Sequence, residues 1–310
     1  MSLPVLISLS IIISLLLVLL VIYLIICGML VKFMSHPKRE DMAFTYQVDV
    51  DKGLIPSILP YQVEEIVIPC RDKTEIHGEL LLHENPVGVV IFAHGYTWTR
   101  NGSIKYAQIF EKLGYTCLIF DERGHGENKT DFCSMGFYEG SDINDIITWT
   151  KNRFKGLPIG LHGESMGASS VLMSLKEKPN LKFIIEDCGY SSLYDLIRYK
   201  LKQMHLIPGL FIHTADLMLK IKYGYHLKDV EPKKWVKDID IPLLIIHGEK
   251  DDFVPSYMAN EIYEENKNHC QIVTFENAGH ALSYQTNKEK YEKVLTEFVN
   301  NIERERYNGK

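Results

Sequence analysis

The chain has 310 residues, of which 46% are apolar and 24% charged, with a net charge of −6. That mixture excludes extended disorder, and the acidic balance, with no basic stripe to neutralise phosphates, argues against nucleic acid as a partner. The 12 histidines and 6 cysteines are scattered without an H-E-x-x-H or paired Cys-x-x-Cys spacing, so neither a metal nor another cofactor is expected.

Residues 3–31 contain no charged side chain. A helix of about 20 apolar residues spans the hydrocarbon of a bilayer, and this run exceeds that. A cleaved signal peptide needs a basic n-region, a shorter apolar core and a small-x-small cleavage site, all missing here. Residues 1–34 therefore read as an uncleaved transmembrane anchor. Lys32, Lys38 and Arg39 follow the span, and no Lys or Arg precedes it. The positive-inside rule then expects a single-pass protein of the cell membrane with its main domain on the cytoplasmic side. Unpaired cysteines suit that compartment.

Residues 35–62 read as a polar connector in which Pro37, Pro56 and Pro60 stop the helix from continuing. From 63 to 310 the pattern predicts one α/β domain. Strands are expected at 63–69 and 75–83, an antiparallel edge because no helix separates them. Residues 87–93 form an unbroken apolar run, as a strand buried on both faces requires. Helix 103–113, strand 115–120, helix 141–154, strand 158–162, helix 165–176 and a strand from 183 follow. Strand 241–246, helix 256–266, strand 271–275 and an amphipathic helix over 288–305 complete the series. Such alternation implies parallel pairing with right-handed crossovers. Residues 190–239 are too long for an ordinary connection and read as a small helical cap.

The chemistry is concentrated in a few loops. Gly163-Glu164-Ser165-Met166-Gly167 follows a strand and opens a helix, the context in which a G-x-S-x-G serine projects its hydroxyl from a sharp turn. A neutral hydroxyl needs a base, and the base needs an acid to hold its tautomer. His280 lies between the last strand and the last helix. Asp251, in the run D-x-x-V-P, is the favoured acid, with Asp252 and Asp187 as alternatives. Oxyanion donors are expected from the N–H of Met166, which follows the nucleophile, and of Tyr96, in the loop after the third strand. His94 reads as a packing residue beneath that loop. Arg123 and His125 are expected to shape the rim.

Together and in this order, the His94-Gly95 loop, D-x-R-G-H-G, G-x-S-x-G, H-G-x-x-D-x-x-V-P and Gly279-His280 resemble the α/β-hydrolase superfamily across nearly all of residues 60–305. The run Glu186-Asp187-Cys188-Gly189-Tyr190-Ser191-Ser192 and the apolar leader are similar to bacterial membrane-anchored hydrolases described as esterases, lysophospholipases or serine aminopeptidase-like proteins. The resemblance implies the α/β-hydrolase fold, with helices on both faces of a mostly parallel sheet. It also implies a triad of Ser165, Asp251 and His280, with Tyr96 and Met166 as oxyanion donors. A serine hydrolase of carboxylic esters is the expected activity, and Leu206, Ile207, Leu210 and Phe211 in the cap suggest an apolar, lipid-like substrate. A serine peptidase and a non-catalytic membrane scaffold are the competing readings.

Overall fold

A computed structural model describes residues 3–307. The chain opens with α1 (Leu3–Ser35), a 33-residue helix long and apolar enough to cross a membrane. Side chains up to Ile22 are exposed, whereas Cys27, Val31, Met34 and Ser35 are buried against the rest of the protein. Within the expected connector the structure has a helix, α2 (Met42–Asp51), which the proline count concealed. Asp41 caps it by accepting the Phe44 N–H at 2.9 Å. Leu54 and Ile55 beyond it are buried, so this segment packs on the domain.

The strands are β1 (Gln62–Pro69), β2 (Glu75–Leu82), β3 (Gly88–Ala93), β4 (Tyr115–Phe120), β5 (Ile159–Glu164), β6 (Phe183–Asp187), β7 (Leu243–Gly248) and β8 (Cys270–Phe275). They form one eight-stranded sheet in the order β1-β2-β4-β3-β5-β6-β7-β8. β1 pairs antiparallel with β2, and β2 antiparallel with β4, while every pairing from β4 to β8 is parallel. Every residue of β3 to β7 is buried, as unbroken apolar runs require of strands covered on both faces. The edge strand β1 instead alternates, burying Ile66 and Ile68 and exposing Val67.

Two apolar layers sandwich the sheet. One contains α4 (Glu139–Arg153), α5 (Met166–Ser174) and α8 (Tyr257–Glu265), with Ile143, Leu172 and Ile262 packed on Ile91, Leu118 and Leu161. The other contains α3 (Ile104–Lys112) and α10 (Lys288–Tyr307), where Phe110, Leu295 and Phe298 meet Phe92, Phe183 and Leu244. This is the predicted architecture of a mostly parallel sheet with helices on both faces.

A third cluster lies above the carboxyl ends of the strands. The segment expected as a cap contains α6 (Leu193–Gln203) and α7 (Pro208–Tyr223). Pro208 begins α7 where its missing N–H costs nothing, and Gly224, at φ 83°, ends it in the left-handed conformation. Leu193, Leu201, Ile212 and Leu219 of the cap pack with Cys27, Val31 and Met34 of α1. A short α9 (Ser283–Thr286) precedes α10.

Candidate active site

Ser165 lies between β5 and α5 with φ 56° and ψ −113°, a conformation that costs of order 1–3 kcal/mol for a non-glycine residue. The motif glycines make the turn sterically feasible. A Cβ on Gly163 would stand 2.5 Å from the Ala168 Cα, and one on Gly167 would stand 2.5 Å from the Ala93 carbonyl carbon. Side chains at either position would force the serine away from the strand end.

The structure brings together residues separated by more than a hundred positions. Ser165 Oγ is 2.7 Å from His280 Nε2, and His280 Nδ1 is 2.7 Å from Asp251 Oδ2. An ionised carboxylate only accepts, so Nδ1 carries the proton and Nε2 is left to accept from the serine hydroxyl. Asp251 Oδ1 accepts the backbone N–H groups of Phe253 (2.9 Å) and Val254 (2.8 Å), which fix the carboxylate's orientation. Burial would raise the Asp251 pKa, but the neighbouring imidazoles of His247 and His280 overcome it and hold the carboxyl well below its usual range. The expected alternatives lie elsewhere. Asp252 is exposed, and Asp187 accepts from Tyr291 Oη at 2.7 Å.

Tyr96 and Met166 both border the space in front of Ser165. Met166 is the first residue of α5, so its N–H has no partner within the helix. His94 is buried, with Nδ1–H donating to the Gly95 carbonyl and Nε2 accepting the Glu122 N–H, each at 2.8 Å. Burial pushes its pKa down to about 4, so it stays neutral and holds the loop, as expected. Arg123 and His125 depart from expectation. Arg123 is buried and grips Asp142 with two bonds, of 2.9 and 2.6 Å, and His125 is fully buried beneath Thr97. Neither lines a cavity: Arg123 is held by Asp142 and Asp72, and His125 supports the Tyr96–Thr97 loop from beneath, accepting the Thr97 N–H and packing on the Tyr96 ring.

Several contributors had no role assigned from the sequence. His247 Nε2 donates to the Val254 carbonyl at 2.8 Å and lies 3.4 Å from Asp251 Oδ2, buttressing the acid's loop. Burial would lower its pKa, but Asp251 and Glu186 outweigh that and raise it. Ser165 separates two cavities. One, of about 160 Å³, is walled almost wholly by apolar side chains, among them Met135, Met166, Leu196, Ile212 and Phe253. The other, of about 220 Å³, is the more polar of the two, lined by Asp49, Lys52, Lys105, Glu164, His280 and Gln285 together with Trp98 and Leu282. Lys105 Nζ meets Glu164 Oε2 at 2.7 Å, and Asp49, 3% exposed, keeps Oδ2 without a partner. Burial raises the Asp49 pKa. The motif placed Glu164 but gave no sign of its cavity, and nothing local marked Asp49.

Cys188, Asp251 and His280 offer ligand atoms within 4.8 Å of one another. However, both His280 nitrogens are already engaged, by Asp251 and Ser165. Burial also pushes the Cys188 thiol well up, disfavouring the thiolate that a zinc ion needs. The group fits acid–base chemistry better than metal binding.

Comparison with known proteins agrees with this fold. Residues 84–187 match the family described as serine aminopeptidase, S33, and residues 213–302 match the dienelactone hydrolase family. The chain is 30% identical over 283 residues to the YqkD protein of Bacillus subtilis, covering 90% of this chain and 92% of that one. The chain belongs to the α/β-hydrolase superfamily. This hydrolase is also 24% identical over 252 residues to the lysophosphatidylserine lipase ABHD12 of Xenopus tropicalis, covering 74% of this chain and 62% of that one. A solved esterase of Pyrococcus furiosus shares the hydrolase's fold with a TM-score of 0.65 at 22% identity, covering 86% of this chain and 98% of that one.

Proposed function

We propose that the hydrolase cleaves carboxylic esters through an acyl-enzyme formed on Ser165. The observation that carries this reading is the hydrogen-bonded line Ser165–His280–Asp251, with 2.7 Å at each step, opening onto an apolar cavity. As the Ser165 Oγ attacks the carbonyl carbon, His280 Nε2 takes its proton and the carbonyl π pair moves onto oxygen. The N–H groups of Met166 and Tyr96 hold that oxyanion. Collapse breaks the bond to the alcohol oxygen, which leaves with the proton from His280, and Ser165 retains the acyl group. Water then repeats the sequence in reverse order, releasing the carboxylic acid and restoring the serine. Asp251 stabilises the imidazolium in both halves. The substrate is a small-molecule or lipid-like ester, and the apolar cavity favours a hydrocarbon acyl group.

The setting follows from α1. Its exposed apolar length supports a single-pass anchor in the cell membrane, and Lys32, Lys38 and Arg39 after it support a cytoplasmic domain. The described cysteines are all unpaired, in keeping with that side.

A peptidase is the second reading, because Asp49 and Glu164 give the polar cavity carboxylates that a free amino terminus would seek. Labelling with a fluorophosphonate probe tests the nucleophile: wild type is expected to react and Ser165→Ala to be inert. A panel of p-nitrophenyl esters against aminoacyl p-nitroanilides then separates the bonds, with esters expected to turn over faster. An unlabelled wild type would leave the scaffold reading in possession.

A further inference from the structure

The apolar cavity beside Ser165 is not built by the α/β domain alone. Leu30, Phe33 and Met34 of α1 form part of its wall, facing Leu196, Leu201 and Ile212 of the cap. The end of α1 is docked rather than tethered. A helix leaves its last carbonyls without internal partners, and here the domain supplies them. Tyr96 Oη donates to the Phe33 carbonyl, Cys133 Sγ to that of Met34 at 3.2 Å, and the Cys133 N–H to that of Ser35 at 2.9 Å. Higher up, Tyr23 Oη donates to the Leu210 carbonyl of α7 at 2.6 Å. Contacts of Tyr23 with Leu210 and of Ser35 with Tyr223 show α1 and α7 running side by side in the same direction.

The cavity's rim points the same way. Phe33 and Met204 line it yet are 65% and 59% exposed. Ile207, Leu210, Leu217 and Ile221 continue that exposed apolar surface along the cap, beside a helix whose earlier turns carry no charge and are mostly Leu, Ile and Val. Water would disfavour such a surface, whereas hydrocarbon would not. On the other side of Ser165 the polar cavity can receive the rest of a substrate, which leaves the apolar one for a chain.

We propose that the last turns of α1 form part of the acyl-binding channel, and that the channel takes the hydrocarbon chain of a membrane-resident ester through a mouth between Phe33 and Met204. The anchor is then a specificity-determining part of the site. This inference rests on Ser165 being the nucleophile, and the test keeps the two claims separable. Full-length protein in phospholipid vesicles is treated with a fluorophosphonate carrying a ten-carbon chain that ends in a diazirine, then irradiated and mapped by mass spectrometry. Ser165 Oγ displaces fluoride at phosphorus, which fixes the head of the probe.

Cross-links to Leu30, Phe33 or Met34 are expected. Probe bound at Ser165 with cross-links that spare α1 overturns the channel assignment while leaving the nucleophile intact. Absence of Ser165 labelling in the wild type defeats the nucleophile reading, and this proposal falls with it. Independently, Met34→Trp should lower the decanoyl-to-butyryl ratio of kcat/KM by about tenfold, as expulsion of one to two chain methylenes at roughly fourfold each implies. Leu16→Trp, on an exposed face of α1 far from the cavity, should leave that ratio unchanged. Equal ratios in wild type and Met34→Trp, or an equal drop in Leu16→Trp, would count against the channel.

Discussion

Replacing Asp251 by Asn changes only one oxygen, yet the surroundings dictate a large effect. Oδ1 accepts the N–H groups of Phe253 and Val254, so the amide oxygen of an asparagine must occupy that position. Its NH2 group then replaces Oδ2 and points at His280 Nδ1, 2.7 Å away. Two donors cannot share that contact. The imidazole moves its proton to Nε2, and the nitrogen facing Ser165 Oγ becomes a donor instead of a base. Reversing this tautomer in a serine protease lowers kcat by roughly 10⁴, equivalent to about 5.5 kcal/mol of transition-state stabilisation. Folding should lose little, on the order of 1 kcal/mol, because the backbone donors keep an acceptor. Hydrolysis of p-nitrophenyl butyrate is the assay, with thermal unfolding measured on the same samples. Asp251→Asn retaining a tenth or more of wild-type kcat, with Asp252→Asn or Asp187→Asn inactive, would refute the assignment of the acid.

Three further predictions follow from packing and charge. Gly167→Ala would press a methyl group onto the backbone of Ala93 and should destabilise by about 1–3 kcal/mol or more while abolishing esterase activity, read by unfolding midpoint and turnover. Arg123→Ala would leave the buried Asp142 carboxylate without its partner at a cost of about 3–5 kcal/mol in urea unfolding, whereas Arg123→Met paired with Asp142→Leu should recover most of it. Burial, reinforced by Glu164, raises the Asp187 pKa from 3.8 to about 7. The native state therefore keeps a proton that the unfolded chain loses near pH 4. This contribution is fully present below pH 4 and is lost as pH rises towards 7. Asp187→Asn should flatten that decline in urea titrations between pH 4 and 8, by at most about 4 kcal/mol. Parallel profiles for variant and wild type would show that Asp187 does not titrate there.

What the sequence made legible, it encoded locally. Apolar runs announced β3 and β4, because a strand covered on both faces has no polar side to show. Gly163 and Gly167 announced the serine turn, since the clash they avoid is with backbone a few residues or one strand away. Asp251 and His280 could be singled out from their positions at strand ends. The α2 helix was hidden by its flanking prolines, and Arg123 was misplaced at the rim because its exit direction depends on Asp142, 19 positions on.

The amino-acid order by itself determined that a serine would stand on a tight turn and that a histidine and an acid would leave neighbouring strand ends. It also determined that an apolar helix would precede the domain. Only the tertiary structure decided which of three acids meets the imidazole, and that Asp49 faces the serine across a polar cavity. It alone brought Leu30, Phe33 and Met34 against the same serine. The reason is physical: turn sterics and strand burial act over a few residues, whereas a cavity is the space left when distant surfaces pack, and no single segment carries its shape.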